Sequence, residues 1–468
     1  MMKLLFWVGF LLVTLSTFFN TVRAQQTDSI LDFIPAIILG QAGRPLNPVP
    51  QPPLYPSPPV NINFSVQLPA MPNTREYSIE LERWDIPNDR TQPLKTTDNL
   101  QAAIDWAFAE GYSRVIVPDG NYLIGKFGNA IYQKGIVLSG NTELVLGENT
   151  IIEMAGNDKW NYCVIAITGR SNIIIRGGTL KGDRDTHTYT PRNGGSTAHD
   201  EGHGICIQNG AHRVLVQDMT IKNMTGDGSL LVTNVSDVTF RGNDIFNNRR
   251  QGISIVGGTR VNIEDNEIHH IKGTSPQFGI DIEGAGRIDR DISIHKNYFH
   301  HNRGGDIVSS TGRNVFIQDN IMEQGDGSSY IDGPLVTWPK TDNVIRRNTI
   351  TMTSGSVNGR LGYIQYSGGG NRGHNRVTYV YDNICNGCGM YMYDAAYADI
   401  RRNKFLGYFL ALKNFKNATV IDNTVTSSLY CWSYRIRNTT GRARGNTYNG
   451  QLVNLPLSNR PWTTPCLR

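Results

Sequence analysis

Three carboxylates near the middle of the chain carry the spacing that acid–base chemistry needs. Asp281 and Glu283 stand two residues apart in Gly279-Ile280-Asp281-Ile282-Glu283, and Asp306 opens Asp306-Ile307-Val308-Ser309. Alternate side chains of a strand share a face, so Asp281 and Glu283 project together with α-carbons about 6.7 Å apart. Asp306 is expected on the adjoining strand, in register with Gly279, about 4.8 Å along the stack. Like charges held that close raise at least one pKa, leaving one carboxyl protonated and one ionised. Glycoside hydrolysis uses such a pair, and side-chain reach allows the roughly 6.5–9.5 Å separation of an inverting enzyme. Catalytic roles are expected for Asp281 and Glu283, with Asp306 assisting. Calcium is the other occupant that three close acids would suit, at Asp281, Glu283 and Asp306.

Polar groups gather in the segments leading to this strip. Arg249 and Arg250 enter the strand at Gly252, Lys272 precedes the Gly279 strand and Arg303 precedes Asp306. The longest insertion, residues 182–202, ends in Asp200-Glu201-Gly202-His203-Gly204 and is expected to hang over the groove. Arg249, Arg250, His203, Glu201, Lys272 and Arg303 are the expected substrate-holding residues. His269-His270 and His300-His301 occupy equivalent corners, but no ligand set at metal spacing accompanies them, so zinc is not expected.

The strands that must position these groups are marked by an asparagine repeat. Asn243, Asn266, Asn297, Asn320, Asn348, Asn383, Asn403, Asn423 and Asn446 each begin an Asn-x-hydrophobic step, separated by 23, 31, 23, 28, 35, 20, 20 and 23 residues. Self-similarity at this period marks stacked repeats. Short runs with alternating apolar residues, such as Val261-Asn262-Ile263 and Val315-Phe316-Ile317, precede the asparagines and read as strands. The expected fold is all-β, a single-stranded right-handed parallel β-helix, with stacked asparagines bonded through successive corners. Aligned first strands begin at Gly204, Ser229, Gly252, Gly279 and Asp306, with the second and fourth residues of each inward.

Residues 1–24 hold Lys3, an apolar run and Val22-Arg23-Ala24, the pattern of a cleaved export signal. No later stretch is apolar for the length of a membrane span, so a secreted, extracellular or periplasmic protein is expected. Without Lys3 and Arg23 the 45 basic residues become 43 against 40 acids, a net charge of +3 that gives no reason to expect nucleic acid. Residues 25–75 read as a Pro-rich arm, 76–132 as an N-terminal cap, 133–450 as the β-helix and 451–468 as a tail. A capping helix is expected from Thr97 or Asp98 to Gly111, covering the exposed strand edges of the first turn. Cys385-Asn386-Gly387-Cys388 sits in a repeat corner without a second pair, which favours a local disulfide or two structural thiols over redox chemistry or zinc. Cys431 and Cys466 are candidates to pin the tail.

The capping helix, followed by Arg114-Val115-Ile116-Val117-Pro118-Asp119-Gly120-Asn121-Tyr122-Leu123-Ile124, resembles the entry segment of the pectate-lyase-like superfamily, which includes polygalacturonases and phage tailspikes. The resemblance covers residues 80–450 and implies a polysaccharide partner, acidic if the slightly basic groove rim selects it. Gly202-His203-Gly204 is similar to a short polygalacturonase motif, but the paired aspartates expected before it are replaced by Asp200-Glu201, so no residue roles carry over. Three functions fit: a glycoside hydrolase, a lyase that β-eliminates a uronate, and a non-catalytic tailspike-like glycan binder. An alginate-type epimerase lacks its Asp-Pro-His motif here.

Overall fold

A computed structural model describes residues 64–71, 75–125, 133–190, 199–284, 289–324, 333–337, 343–353, 356–357, 360–361, 363–367, 377–393, 397–427, 433–458 and 462–463. The export signal, most of the arm, Cys431 and Cys466 lie outside the described residues. The chain forms the expected parallel β-helix: strands of each turn pair in parallel with those of the next along three faces. The elements that matter below are helix α1 (Pro93–Ala109) and strands β1 (Glu201–Gln208), β2 (Ser229–Arg241), β3 (Asp244–Phe246), β4 (Ile253–Glu264), β5 (Glu267–His269), β6 (Phe278–Ile282), β7 (Tyr298–His300) and β8 (Gly305–Ser309). Strands β1, β2, β4, β6 and β8 stack on the first face. Strands β3, β5 and β7 stack on the third face.

Inside, each rung adds aliphatic side chains to columns without solvent exposure, such as Ile207, Leu231, Ile255 and Ile282. Each such burial contributes about 1.5–3 kcal/mol. The asparagines line one corner. Asn320 shows the pattern: its backbone N–H and Nδ2 donate to Asn348 Oδ1 at 3.1 and 3.0 Å, and Nδ2 also donates to the Ile294 carbonyl at 2.9 Å. Its own Oδ1 accepts from the backbone N–H and Nδ2 of Asn297, both at 3.0 Å. The same Nδ2-to-Oδ1 link joins every step from Asn243 to Asn446. A left-handed residue precedes each asparagine, for example Asp265, Lys296 and Asp319, and this turns the strand onto the next face.

Three expectations change. The helix begins at Pro93, one turn before Thr97, because proline suits the first helical position. Thr97 lies inside it, its hydroxyl donating to the Pro93 carbonyl and accepting from the Gly125 N–H. The second first-face strand is displaced by one residue: Ser229 and Leu231 point inward, in register with Ile205 and Ile207, and Leu230 faces out. Gly228, not Ser229, is the counterpart of Gly204 and Gly252. Finally, the last part of the arm is not a free linker: Gln67 N–H donates to Asp237 Oδ1 at 3.2 Å and Phe64 packs 6.1 Å from Phe316.

Replacing Asn320 with Ala would strand buried donors and acceptors on both neighbouring rungs, each worth about 1–3 kcal/mol. Urea unfolding should show N320A destabilised by roughly 3 kcal/mol or more. A loss below about 0.5 kcal/mol, within the range of ordinary surface substitutions, would show that the ladder adds little.

Candidate active site

Strand β6 turns Ile280 and Ile282 into the core and presents Asp281 outward, in register with Ser254 of β4 and Val308 of β8. Glu283 follows β6 directly, its N–H bonded to the Ile255 carbonyl at 2.9 Å. Asp281 is only 3% exposed, and Glu283 is half-buried. The residue before each glycine of the first face supplies the neighbours. His203, Asp227 and Gln251 occupy that column on successive rungs, followed by Phe278. Gln251 Nε2 donates to Asp281 Oδ2 at 2.6 Å while its Oε1 accepts the Phe278 N–H at 2.6 Å, so the amide is oriented and one Asp281 oxygen is held.

Arg250 sits among the acids. It donates to Asp227 at 3.1 Å and lies 4.0 Å from Asp200. Burial alone would favour its neutral form, but Asp227, Asp200, Glu283 and Asp281 together outweigh that and hold the guanidinium charged. Burial, then the neighbouring Glu283, raises the Asp281 carboxyl well above the ordinary carboxylate range, against the pull of Arg250. Burial also raises Glu283; Arg250 opposes it, and Asp227 and Asp289 add to it. Burial lowers the His203 imidazole below its ordinary value, and its Nδ1 accepts the Asp227 N–H at 3.1 Å, which leaves the proton of the neutral ring on Nε2. Asp289 accepts from Gly257 and Gly258 N–H, each at 2.7 Å, and from Thr311 at 3.0 Å, bracing the bend within β4.

Not every expected residue joins. Asp306 is fully buried and accepts a bond from Asn302 Nδ2 at 3.0 Å. Strict alternation fails at this step: Phe278 packs with Val308 and Val336, whereas a Cβ on Gly279 would meet Phe299 and Asn302 inside the coil. Asp306 stands in register with Gly279 and takes that inward direction. The three acids therefore do not form a calcium cage, and Arg250 already supplies a cation to the remaining pair. Arg249 instead holds the long insertion, stacking 4.6 Å over Tyr189 and donating to the His199 carbonyl at 3.2 Å. Lys272 and Arg303 are exposed. Glu201 is half-buried opposite Asn161 at the start of β1, and its neighbour Asp200 is the acid that faces Arg250.

The insertion is tied down by a buried chain of polar groups. Tyr162 donates to Asp183 at 2.5 Å, Asp183 meets His187 Nδ1 at 2.7 Å, and His187 Nε2 meets His199 Nδ1 at 2.8 Å. A disulfide between Cys163 and Cys206 closes the segment that contains it. Another disulfide joins Cys385 and Cys388, one of the two states expected of that pair. Asp200, Asp227, Gln251 and Asp289 were not singled out in the sequence. Asp227 and Gln251 become visible when the rung alignment is extended to the residues before each glycine.

The raised Asp281 carboxyl fixes a pH dependence. Above the ordinary value of 3.8 the unfolded chain releases this proton while the native state keeps it, so stability falls as pH rises, until the native group also ionises. Asp281→Asn should flatten this fall, leaving the variant at least as stable as its parent at pH ~8 in thermal melts. Parallel pH profiles for the two proteins would refute the placement of Asp281.

Comparison with known proteins adds the following. The family described as "Right handed beta helix region" matches residues 126–289 and 229–405, more than half of the 468 residues. The uncharacterized protein YclG of Bacillus subtilis (strain 168) is 30% identical over 305 residues, covering 59% of this chain and 52% of that protein. The chain spans about half the length of the curated relatives it matches. The Azotobacter vinelandii mannuronan C-5 epimerase AlgE6 A-module is similar over 80% of this chain and 100% of its own, with TM-score 0.57 and 15% identity. A hyperthermoactive exopolygalacturonase from Thermotoga maritima is similar over 85% of this chain and 97% of its own, with TM-score 0.55 and 14% identity. At such identities the likeness is one of fold. No helix among the described residues is long and apolar enough to cross a membrane.

Proposed function

We infer that this chain, which belongs to the right-handed β-helix family, is an exported glycoside hydrolase that cleaves a polysaccharide at Asp281 and Glu283. The observation that carries the reading is the asymmetric pair: two carboxyls on one outward edge, both shifted upward, one more deeply buried than the other. Asp281, held at one oxygen by Gln251, is the general acid that protonates the leaving glycosidic oxygen. Glu283, more open and opposed in its shift by Arg250, is the base that takes a proton from the water attacking the anomeric carbon. Arg250 is a positioning residue: held by Asp227, it opposes the upward shift of both carboxyls, and the more deeply buried Asp281 keeps its proton the longer. His203 orders the Asp227 rung.

Fold likeness to a polygalacturonase and an epimerase, both acting on polymers of sugar acids by name, supports a polysaccharide partner. A lyase would need a free cation for the uronate carboxylate and a base beside it. Arg250 is bonded to Asp227, and Lys272 and Arg303 are exposed outside this circle, which weighs against elimination.

The test is turnover on a panel of neutral and acidic glycans, with and without EDTA. New reducing ends without unsaturated-uronate absorbance are expected, with no loss in EDTA. Asp281→Asn and Glu283→Gln should each lower turnover by about 10²–10⁴-fold. The pH–rate profile should be a bell, its acid limb set by Glu283 and its alkaline limb by Asp281. Unchanged turnover in both variants would overturn the assignment. Glycan binding without any cleavage would instead make the chain a tailspike-like binder.

A further inference from the structure

The corner after the third face gathers four imidazoles. His269 ends β5 and His300 ends β7, in register on adjacent rungs. The next residues, His270 and His301, have φ of 54° and 55°, and this left-handed step swings each ring beside its predecessor instead of onto the opposite side. His269 stacks on His300 at 4.5 Å and 10°, and His270 stacks on His301 at 4.6 Å and 5°. Phe246 caps the first stack at 4.8 Å.

The nitrogens converge. His269 Nδ1 lies 2.6 Å from His270 Nδ1, and His300 Nδ1 lies 2.7 Å from His301 Nδ1. Ligand nitrogens of His269, His270 and His300 all fall within 4.8 Å of one another, the only such group of His, Cys, Asp or Glu among the described residues. The far nitrogens are taken by carboxylates: His269 Nε2 faces Asp244 Oδ1 at 3.0 Å, and His300 Nε2 faces Glu267 Oε1 at 2.8 Å. A proton on each Nε2 leaves the Nδ1 lone pair facing the cluster, the carboxylate–imidazole arrangement that orients metal ligands.

We propose that His269, His270 and His300, with His301 beside them, bind a divalent late transition metal, zinc first among those that imidazole suits. The ion takes the place of the proton held between the Nδ1 atoms of His269 and His270, and that proton passes through solvent to His270 Nε2, so the ligating rings stay neutral. Zinc sits about 2.0–2.1 Å from each nitrogen in a tetrahedral site, so the His269–His270 pair opens by roughly 0.7 Å on binding. A water or His301 completes the coordination.

The test uses the tag-free chain, stripped with EDTA, desalted and titrated calorimetrically with Zn²⁺. One ion per chain is expected, with affinity falling in acid as the ligand imidazoles take up protons. Co²⁺ should give visible ligand-field bands. In His270→Gln and, separately, His300→Gln, affinity should fall at least about tenfold, the lower bound for loss of a group that supports a metal site. Zinc should raise the melting temperature of the parent but not of the variants, whose far-ultraviolet dichroism reports whether they fold. Equal affinity in the parent and a folded variant, or no saturable binding by the parent, would overturn the proposal.

Discussion

The structure depends on one repeated constraint: every rung must meet the next in register, and buried asparagines enforce it at the corner between the second and third faces. Each ladder carboxamide is satisfied only when its neighbour stands directly above or below. A slip of one residue would bury unpaired amide groups and turn a strand's apolar set toward water. Distances along the stack are therefore fixed at the spacing of paired strands, while the sequence between asparagines varies from 20 to 35 residues. The extra length goes to corners and loops. It is there, on and beside β6 and in the insertion held by Asp183, His187 and His199, that the candidate chemistry lies.

Rigid stacking also explains how charged groups survive near-complete burial. Asp227 and Arg250 come from adjacent turns, and Gln251 reaches Asp281 across one rung. Each contact spans the stack, so the ordering that would otherwise oppose it is already provided by the strands. The result is a local field in which one arginine serves four carboxylates, and two of those acids sit away from their ordinary titration range.

Much of this was legible in the residues, for a definable reason. A ladder asparagine is recognisable because its type and the apolar residue two positions later recur together. Strand alternation correctly turned Asp281 outward and Ile280 and Ile282 inward. It failed for Asp306, because the chain breaks alternation at the glycine column and the aspartate inherits the inward direction of Gly279. It failed for Ser229, where a serine occupies an aliphatic column and Gly228 was the better marker. Asp227 and Gln251 were missed because the rungs were aligned from the glycine onward. The histidines defeated spacing rules altogether: adjacent pairs separated by a whole turn match no metal template, yet stacking brings them within ring-contact distance.

The asparagine row has a further property. Along each face the main-chain bonds alternate in sense, some donated forward and some back. Ile205 N–H reaches on to Gly228, whereas Ser236 N–H reaches back to Ala211. The links between carboxamides do not alternate: from Asn243 to Asn423 each Nδ2 donates to the Oδ1 on the following turn, while it also donates back to a main-chain carbonyl of the preceding turn. The spine is thus a polar thread with a direction, its oxygen ends toward the N-terminal turns and its nitrogen ends toward the C-terminal ones. Aligned amide dipoles polarise one another, so a link in the middle of the row is strengthened from both sides and the two ends of the row are electrically unlike.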